Sequence, residues 1–261
     1  MKFSANLGFL WADRPLPEAI RSAHAAGFDA VECHWPYETP PDLVKTTLAE
    51  TGLPMLGLNT IRGAPGENGL TALPGRESEA RAAIDQAIAY AAAIGARAIH
   101  VMAGLAEGPE AHAVYLANLG YARRHCPDHI TLLIEPLNRH DAPGYFLKTT
   151  DQAAELLSEL DLPGVRLMFD CYHVGRTEGD IVSRLQALDP IIGHIQFASV
   201  PDRGAPDRGE VNYRYVFAKI AAAGWPHPLG AEYRPDGPTG DSLDWLHKMR
   251  DDTPEFEPKS G

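Results

Sequence analysis

The sequence predicts a single-domain α/β fold, a (β/α)8 barrel, from three observations: eight short apolar runs, helical segments between them, and glycines recurring where those segments stop. The runs cover 3–10, 28–35, 54–60, 96–103, 130–138, 165–172, 191–198 and 229–233 and are rich in branched residues. Near-continuous apolar strands fit a parallel sheet buried on both faces, and eight strand–helix units favour closure into a barrel over an open sheet. The length of 261 residues agrees with one such barrel. The barrel is assigned to residues 1–250 and a polar tail with two prolines to 251–261. That tail is expected to fray or to meet a neighbouring subunit, which allows for a homo-oligomer, and carries no catalytic role.

Helical spacing appears at 17–26, 76–94, 111–125, 151–160 and 213–223, with Pro41-Asp42 and Thr150-Asp151 read as helix entries. Gly27, Gly52, Gly95 and Gly224 mark helix ends, where glycine takes the left-handed conformation at little cost. The first run is not followed by a Gly-x-Gly-x-x-Gly turn, which argues against a dinucleotide fold. Two connections, 61–75 and 200–209, are longer than the rest and are expected to serve the site.

Composition narrows the function. Hydrophobic residues at 44% and charged residues at 22% are ordinary for a globular protein. No apolar run is long enough to span a bilayer, so no membrane partner is expected. The N-terminus lacks the pattern of an export signal, and a cytoplasmic location is expected. Cys33, Cys126 and Cys171 are odd in number and widely spaced, which points to free buried thiols. A formal charge of −12 repels a phosphate backbone, so nucleic acid is not expected as a partner.

In a barrel of this kind the site forms at the carboxyl ends of the strands. Four runs end there in polar residues: Glu135, Asp170, Gln196 and Glu232. Three carboxylates converging without a counter-charge would be costly to desolvate, and a metal ion resolves this. The hard-oxygen set suits Mg2+ or Mn2+ rather than zinc. Taken singly, each of these residues could instead cap a helix or pair with an arginine. His173, three residues past Asp170, is placed to hydrogen-bond a substrate oxygen, and Arg203 to fork onto a substrate carboxylate. Arg62 and Arg176 are weaker candidates for the same anion. Glu32 reads as structural or functional, His100 as a core or rim histidine, and His34 and Trp35 as pocket wall.

Six segments carry a family resemblance. They are Ile134-Glu135-Pro136-Leu137-Asn138, Phe169-Asp170-Cys171-Tyr172-His173 with Glu178-Gly179-Asp180, Gly193-His194-Ile195-Gln196, Pro201-Asp202-Arg203-Gly204 leading to Gly209-Glu210-Val211-Asn212-Tyr213, Glu232-Tyr233-Arg234-Pro235, and residues 68–77. With them the chain resembles the xylose-isomerase-like TIM barrels, and within these the hydroxypyruvate isomerase family, over nearly its full length. The resemblance implies that Glu135 and Glu232 are the catalytic acid/base pair and also metal ligands, with Asp170 and Gln196 completing the site. It implies an isomerase of carbohydrate metabolism acting on a small hydroxy-oxo acid, hydroxypyruvate or 2-oxo-tetronate, without an organic cofactor. Gln196 stands where related ketose epimerases commonly carry histidine. Val174-Gly175 departs from the methionine and glutamine expected there. Alternative readings are a ketose 3-epimerase, a metal-dependent hydrolase or endonuclease, and a non-catalytic binding barrel.

Overall fold

The computed structural model describes residues 1–251. Eight parallel strands line the barrel: β1 (Phe3–Asn6), β2 (Ala30–Glu32), β3 (Leu58–Asn59), β4 (Ala98–His100), β5 (Thr131–Ile134), β6 (Val165–Asp170), β7 (Ile192–Phe197) and β8 (Leu229–Ala231). Around them run α1 (Leu16–Ala25), α2 (Pro41–Thr51), α3 (Glu77–Ile94), α4 (Gly108–His125), α5 (Thr150–Leu160), α6 (Cys171–Thr177), α7 (Ile181–Leu188), α8 (Tyr213–Ala222) and α9 (Asp244–Asp251). Pairing follows the order β2-β1-β8-β7-β6-β5-β4-β3. The seam between β2 and β3 is bridged by backbone hydrogen bonds from Val31 to Pro54 (3.0 Å), Leu56 to Val31 (2.7 Å) and Cys33 to Gly57 (3.1 Å). This is the single-domain (β/α)8 barrel that the alternation predicts.

The ladders are shorter than the apolar runs because local polar contacts stop them. Asn6 ends β1: its Oδ1 accepts the Gly8 N–H at 2.9 Å, and its carbonyl accepts those of Phe9 and Leu10. This turn draws the side chain of Leu10 into the core, fully buried, instead of continuing the strand. The run 165–172 likewise ends at Asp170, whose Oδ1 accepts the Tyr172 N–H at 2.8 Å and caps α6. Neither α6 nor α7 is visible in the periodicity.

Helix ends follow the glycines closely. Gly52 and Gly95 are left-handed C-caps, with φ of 71° and 73°. Gly27 and Gly224 each stand one residue past the cap, also at positive φ. The cap of α5 is Thr149, whose Oγ1 accepts the Gln152 N–H at 3.1 Å, one residue before the expected Thr150-Asp151 start. Thr150 instead gives its N–H and hydroxyl to Glu178. Glu178 also meets Arg184 at 3.0 Å, so this part of the Glu178-Gly179-Asp180 segment braces the start of α5. The three cysteines are buried and free. The expected tail begins at Asp251, the last residue of α9, and residues 252–261 lie outside the described residues.

An aromatic cluster locks α9 against the outer face of the barrel strands. Trp245, fully buried, meets Phe3 and Phe197 edge-on at centroid separations of 5.2 and 5.4 Å. Its Nε1 donates to the Tyr233 hydroxyl at 3.2 Å, which ties the helix to the residue next to Glu232. Trp245→Ala is expected to cost about 3–5 kcal/mol through the lost burial and the cavity left behind. Urea unfolding checks this, and a loss under about 1 kcal/mol would contradict the anchoring.

Candidate active site

Residues two apart on a strand face the same side of the sheet, and this spacing builds the site. Ala98, Leu133 and Met168 form an apolar cluster separate from the main core. Two residues further along stand His100, Glu135 and Asp170. On β7 and β8 the same step leads from His194 to Gln196 and from Gly230 to Glu232. In register, Asp170 lies beside Gln196, and Gln196 beside Gly230. Candidate ligand atoms of Glu135, Asp170, His173 and Glu232 all lie within 4.8 Å of one another. Above them opens a cavity of about 300 Å3, with Glu135, Glu232, His173, His100, His34, Trp35 and Arg203 in its wall.

The hydrogen bonds divide these residues into satisfied and unsatisfied groups. Glu232 is held from three sides: Oε1 accepts from Asn6 Nδ2 at 2.9 Å and from His34 Nε2 at 2.9 Å, and Oε2 from Arg203 at 2.5 Å. Glu135 Oε1, Asp170 Oδ2 and Gln196 Oε1, by contrast, are buried without a hydrogen-bond partner among the described residues. Three orphaned oxygens on adjacent strands are what a hard cation would satisfy. His173 plays a different part. Its Nδ1 accepts the Asn138 N–H at 3.0 Å and faces the Asn138 amide at 2.8 Å. That fixes the proton on Nε2, which points toward Asp170 Oδ2 at 3.6 Å and Glu135 Oε1 at 3.9 Å as a donor rather than a metal ligand.

The charges are strongly coupled. Burial, and then the charges of Glu232 and Asp170, push the Glu135 carboxyl well up. Burial and Glu232 raise Asp170 to about 7. Burial would raise Glu232 too, but Arg203 and the His34 hydrogen bond outweigh it and hold this carboxylate well below its usual range. Burial lowers His173 and His100 to about 3, so both imidazoles stay neutral. The three carboxyls are thus driven apart, Glu232 downward and Glu135 and Asp170 upward.

Arg203 comes from the 200–209 connection. The turn that presents it is built by Ser199: its carbonyl accepts the Arg203 N–H at 2.9 Å and its Oγ the Gly204 N–H at 2.8 Å. Arg203 itself takes a left-handed φ of 56°, a strained value for a residue with a side chain. Its guanidinium lies between the rings of Phe9 and Tyr172, 4.8 and 4.9 Å from their centroids. One terminal nitrogen is committed to Glu232, while Nε is buried without an acceptor among the described residues. Behind this loop, a Cβ on Gly175 would approach Val200 Cγ2 to 2.9 Å, so the Val174-Gly175 departure makes room for the loop's first residue.

The 61–75 connection supplies Arg62 and Asn68 to the cavity wall. It can lie against β4 only because Gly69, at φ 111°, has no side chain: a Cβ there would meet Met102 O at 2.3 Å. Arg62 stacks over Trp35 at 4.6 Å and donates to Asn68 at 3.2 Å. Arg234 stacks over Phe9 at 5.4 Å. Neither forms an ion pair among the described residues, and both line the cavity. Arg176 does not line it, which removes it as a candidate for the substrate anion. His100 is a rim histidine rather than a core one: it reaches the cavity, both ring nitrogens lack hydrogen bonds among the described residues, and Nδ1 lies 3.4 Å from Glu135.

Sequence reasoning gave no role to Arg234 or Asn6. Both carried the signal used for the others. Arg234 stands two residues past Glu232, and Asn6 is the polar residue that ends the first strand.

A family model described as xylose isomerase-like TIM barrel matches residues 20–249. A 2-oxo-tetronate isomerase of Cupriavidus necator is 40% identical over 252 residues, covering 94% of this chain and 97% of that protein. The hydroxypyruvate isomerase of Escherichia coli K12 is 34% identical over 257 residues, covering 96% and 100%. A crystal structure described as an AP endonuclease, family 2, from Brucella melitensis superposes with a TM-score of 0.91 at 36% identity, covering 95% of this chain and 98% of that one. Eight-stranded closure, carboxylates at the strand ends and near-full-length similarity converge on one assignment: this chain belongs to the xylose isomerase-like TIM barrel family.

Proposed function

We propose that the protein is a divalent-metal-dependent isomerase of small hydroxy-oxo acids, acting on hydroxypyruvate or the one-carbon-longer 2-oxo-tetronate. The observation that carries this reading is the group of three unpartnered buried oxygens on Glu135, Asp170 and Gln196 beside the ionised Glu232. The names of the similar isomerases support it. Glu135, Asp170, Gln196 and Glu232 would hold the ion, and an all-oxygen set suits Mg2+ or Mn2+. When bound, such an ion supplies a Lewis acid for adjacent carbonyl and hydroxyl oxygens of the substrate.

The reaction itself is a balanced proton shift. A proton leaves C3 of hydroxypyruvate and one arrives at C2, while the hydroxyl proton on the C3 oxygen passes to the C2 oxygen, giving tartronate semialdehyde. Glu135 and Glu232 are the proposed acid/base pair for the carbon-bound protons. Glu232 is the member of the pair that Arg203 and His34 hold ionised. His173 Nε2–H and the free Nε of Arg203 are donors for substrate oxygens. A carboxylate on the substrate is best matched by Arg62 and Arg234, which face the cavity without acidic partners among the described residues. These guanidiniums favour an acid over the neutral sugar of a ketose 3-epimerase. The formal charge of −12 weighs against a nucleic-acid substrate.

Two measurements test this. Cation binding must displace the protons that burial holds on Glu135 and Asp170. Because these carboxyls are raised, Mn2+ affinity is expected to climb as pH rises toward about 7, the value to which Asp170 is pushed. Calorimetry at pH 6 in buffers of different ionisation enthalpy should register proton release, and binding with none would contradict the charge assignment. The second concerns the substrate acid. Replacing both Arg62 and Arg234 by alanine is expected to lower kcat/KM for hydroxypyruvate by about 10- to 100-fold, the worth of charge-assisted hydrogen bonds. Turnover of dihydroxyacetone, which lacks the carboxylate, should change far less, and equal losses would assign the two arginines a structural part.

A further inference from the structure

Below the three carboxylates lies a fourth, which the proposed chemistry does not use. Glu32 ends β2 and is 4% exposed. Its Oε1 accepts from Gln196 Nε2 at 3.0 Å and from Asn6 Nδ2 at 3.2 Å, and its Oε2 from His194 Nε2 at 2.6 Å. The space it occupies is vacated by β8, on the far side of β1 from β2. A Cβ on Gly230 of β8 would lie 2.5 Å from Glu32 Oε1 and 2.8 Å from Gln196 Cγ. Gln196 is itself 3% exposed, and its Oε1 has no hydrogen-bond partner among the described residues.

We infer that Glu32 is a positioning residue that fixes which end of the Gln196 amide faces the metal site. A primary amide has a donor end and an acceptor end of nearly the same shape, so packing alone does not choose between them. The carboxylate oxygens of Glu32 offer acceptors, and Oε1 takes the NH2 end of Gln196. The carbonyl oxygen is left on the other side, where a cation needs it. With an amide at position 32, Gln196 is free to turn and present NH2 to the cation, which repels it. Glu32, Gln196 and Gly230 thus form one device: the carboxylate orients the amide, and the missing side chain makes room for the pair. Asn6 extends it by donating to both Glu32 and Glu232, so the orienting carboxylate and the proposed base share a donor. The inference rests on the reading of Gln196 as a metal ligand.

Mn2+ affinity, measured by calorimetry and by the electron paramagnetic resonance of free Mn2+, tests the inference without reference to turnover. Glu32→Gln is expected to weaken binding by about 10- to 100-fold, the usual effect of losing a residue that orients a ligand. The swapped pair Glu32→Gln with Gln196→Glu keeps the total charge and reverses the hydrogen bond. The amide at 32 then donates to the carboxylate at 196, which still offers one oxygen to the cation. The swap is expected to return affinity to within about threefold of the parent, a coupling that a purely structural role does not produce. Gly230→Ala, which changes no ligand but displaces the pair, should also weaken binding, and it decides the matter if Glu32→Gln fails to fold. Parental affinity in Glu32→Gln or Gly230→Ala, or a swap no better than Glu32→Gln alone, overturns the positioning role. A parent protein that binds no Mn2+ overturns the metal reading instead, and this inference with it.

Discussion

Negative charge brought together out of water is the constraint around which this site is built. Glu135, Asp170 and Glu232 converge within a few ångströms and are each no more than 5% exposed. Such a group is costly to bury, and removing one counter-charge leaves the others worse placed. Arg203 offsets part of the cost by pairing with Glu232, and His34 and Asn6 add hydrogen bonds to the same carboxylate. The remainder falls on Glu135 and Asp170, whose carboxyls are both pushed up, Asp170 to about 7. The site is therefore asymmetric before any ligand arrives: one carboxylate is charged and well held, and two have oxygens without partners.

The barrel makes this concentration possible because it separates what drives folding from what does the chemistry. Its interior carries an apolar layer of Ala98, Leu133 and Met168 at one level and the polar residues two positions later. Outward-facing residues of the barrel strands, such as Phe3 of β1 and Ile195 and Phe197 of β7, belong to the main core under the helices. Strain is confined to the loops, as in the left-handed backbone of Arg203. A loop residue so held can be aimed at Glu232 without disturbing the strand that carries the glutamate.

Much of this was legible in the residues. Glu135, Asp170, Gln196 and Glu232 were visible because each follows an apolar run, and in a parallel barrel that position opens on the catalytic face. The pairing of Arg203 with Glu232 was not visible, since it depends on a turn whose geometry leaves no periodic trace. The helices α6 and α7 were missed for a related reason. Cys171 and Tyr172 prolong the apolar pattern of β6, and only the capping contact of Asp170 shows where the strand stops. Asp170 also shows that capping and site-building are not exclusive, because one of its oxygens caps α6 while the other stays unpartnered in the site. Arg176 looked equivalent to Arg62 in the sequence, and only the path of the chain places one at the cavity and the other away from it.

The proposed chemistry requires that Glu135 and Glu232 move protons as well as hold the metal. Glutamine at either position keeps the size and one oxygen donor but removes the base. The decisive measurement is the rate of hydroxypyruvate isomerisation by Glu135→Gln and by Glu232→Gln, each at saturating Mn2+ with metal occupancy verified. The account predicts losses of about a hundredfold to ten-thousandfold in both. Near-parental rates in both variants at full occupancy would contradict it.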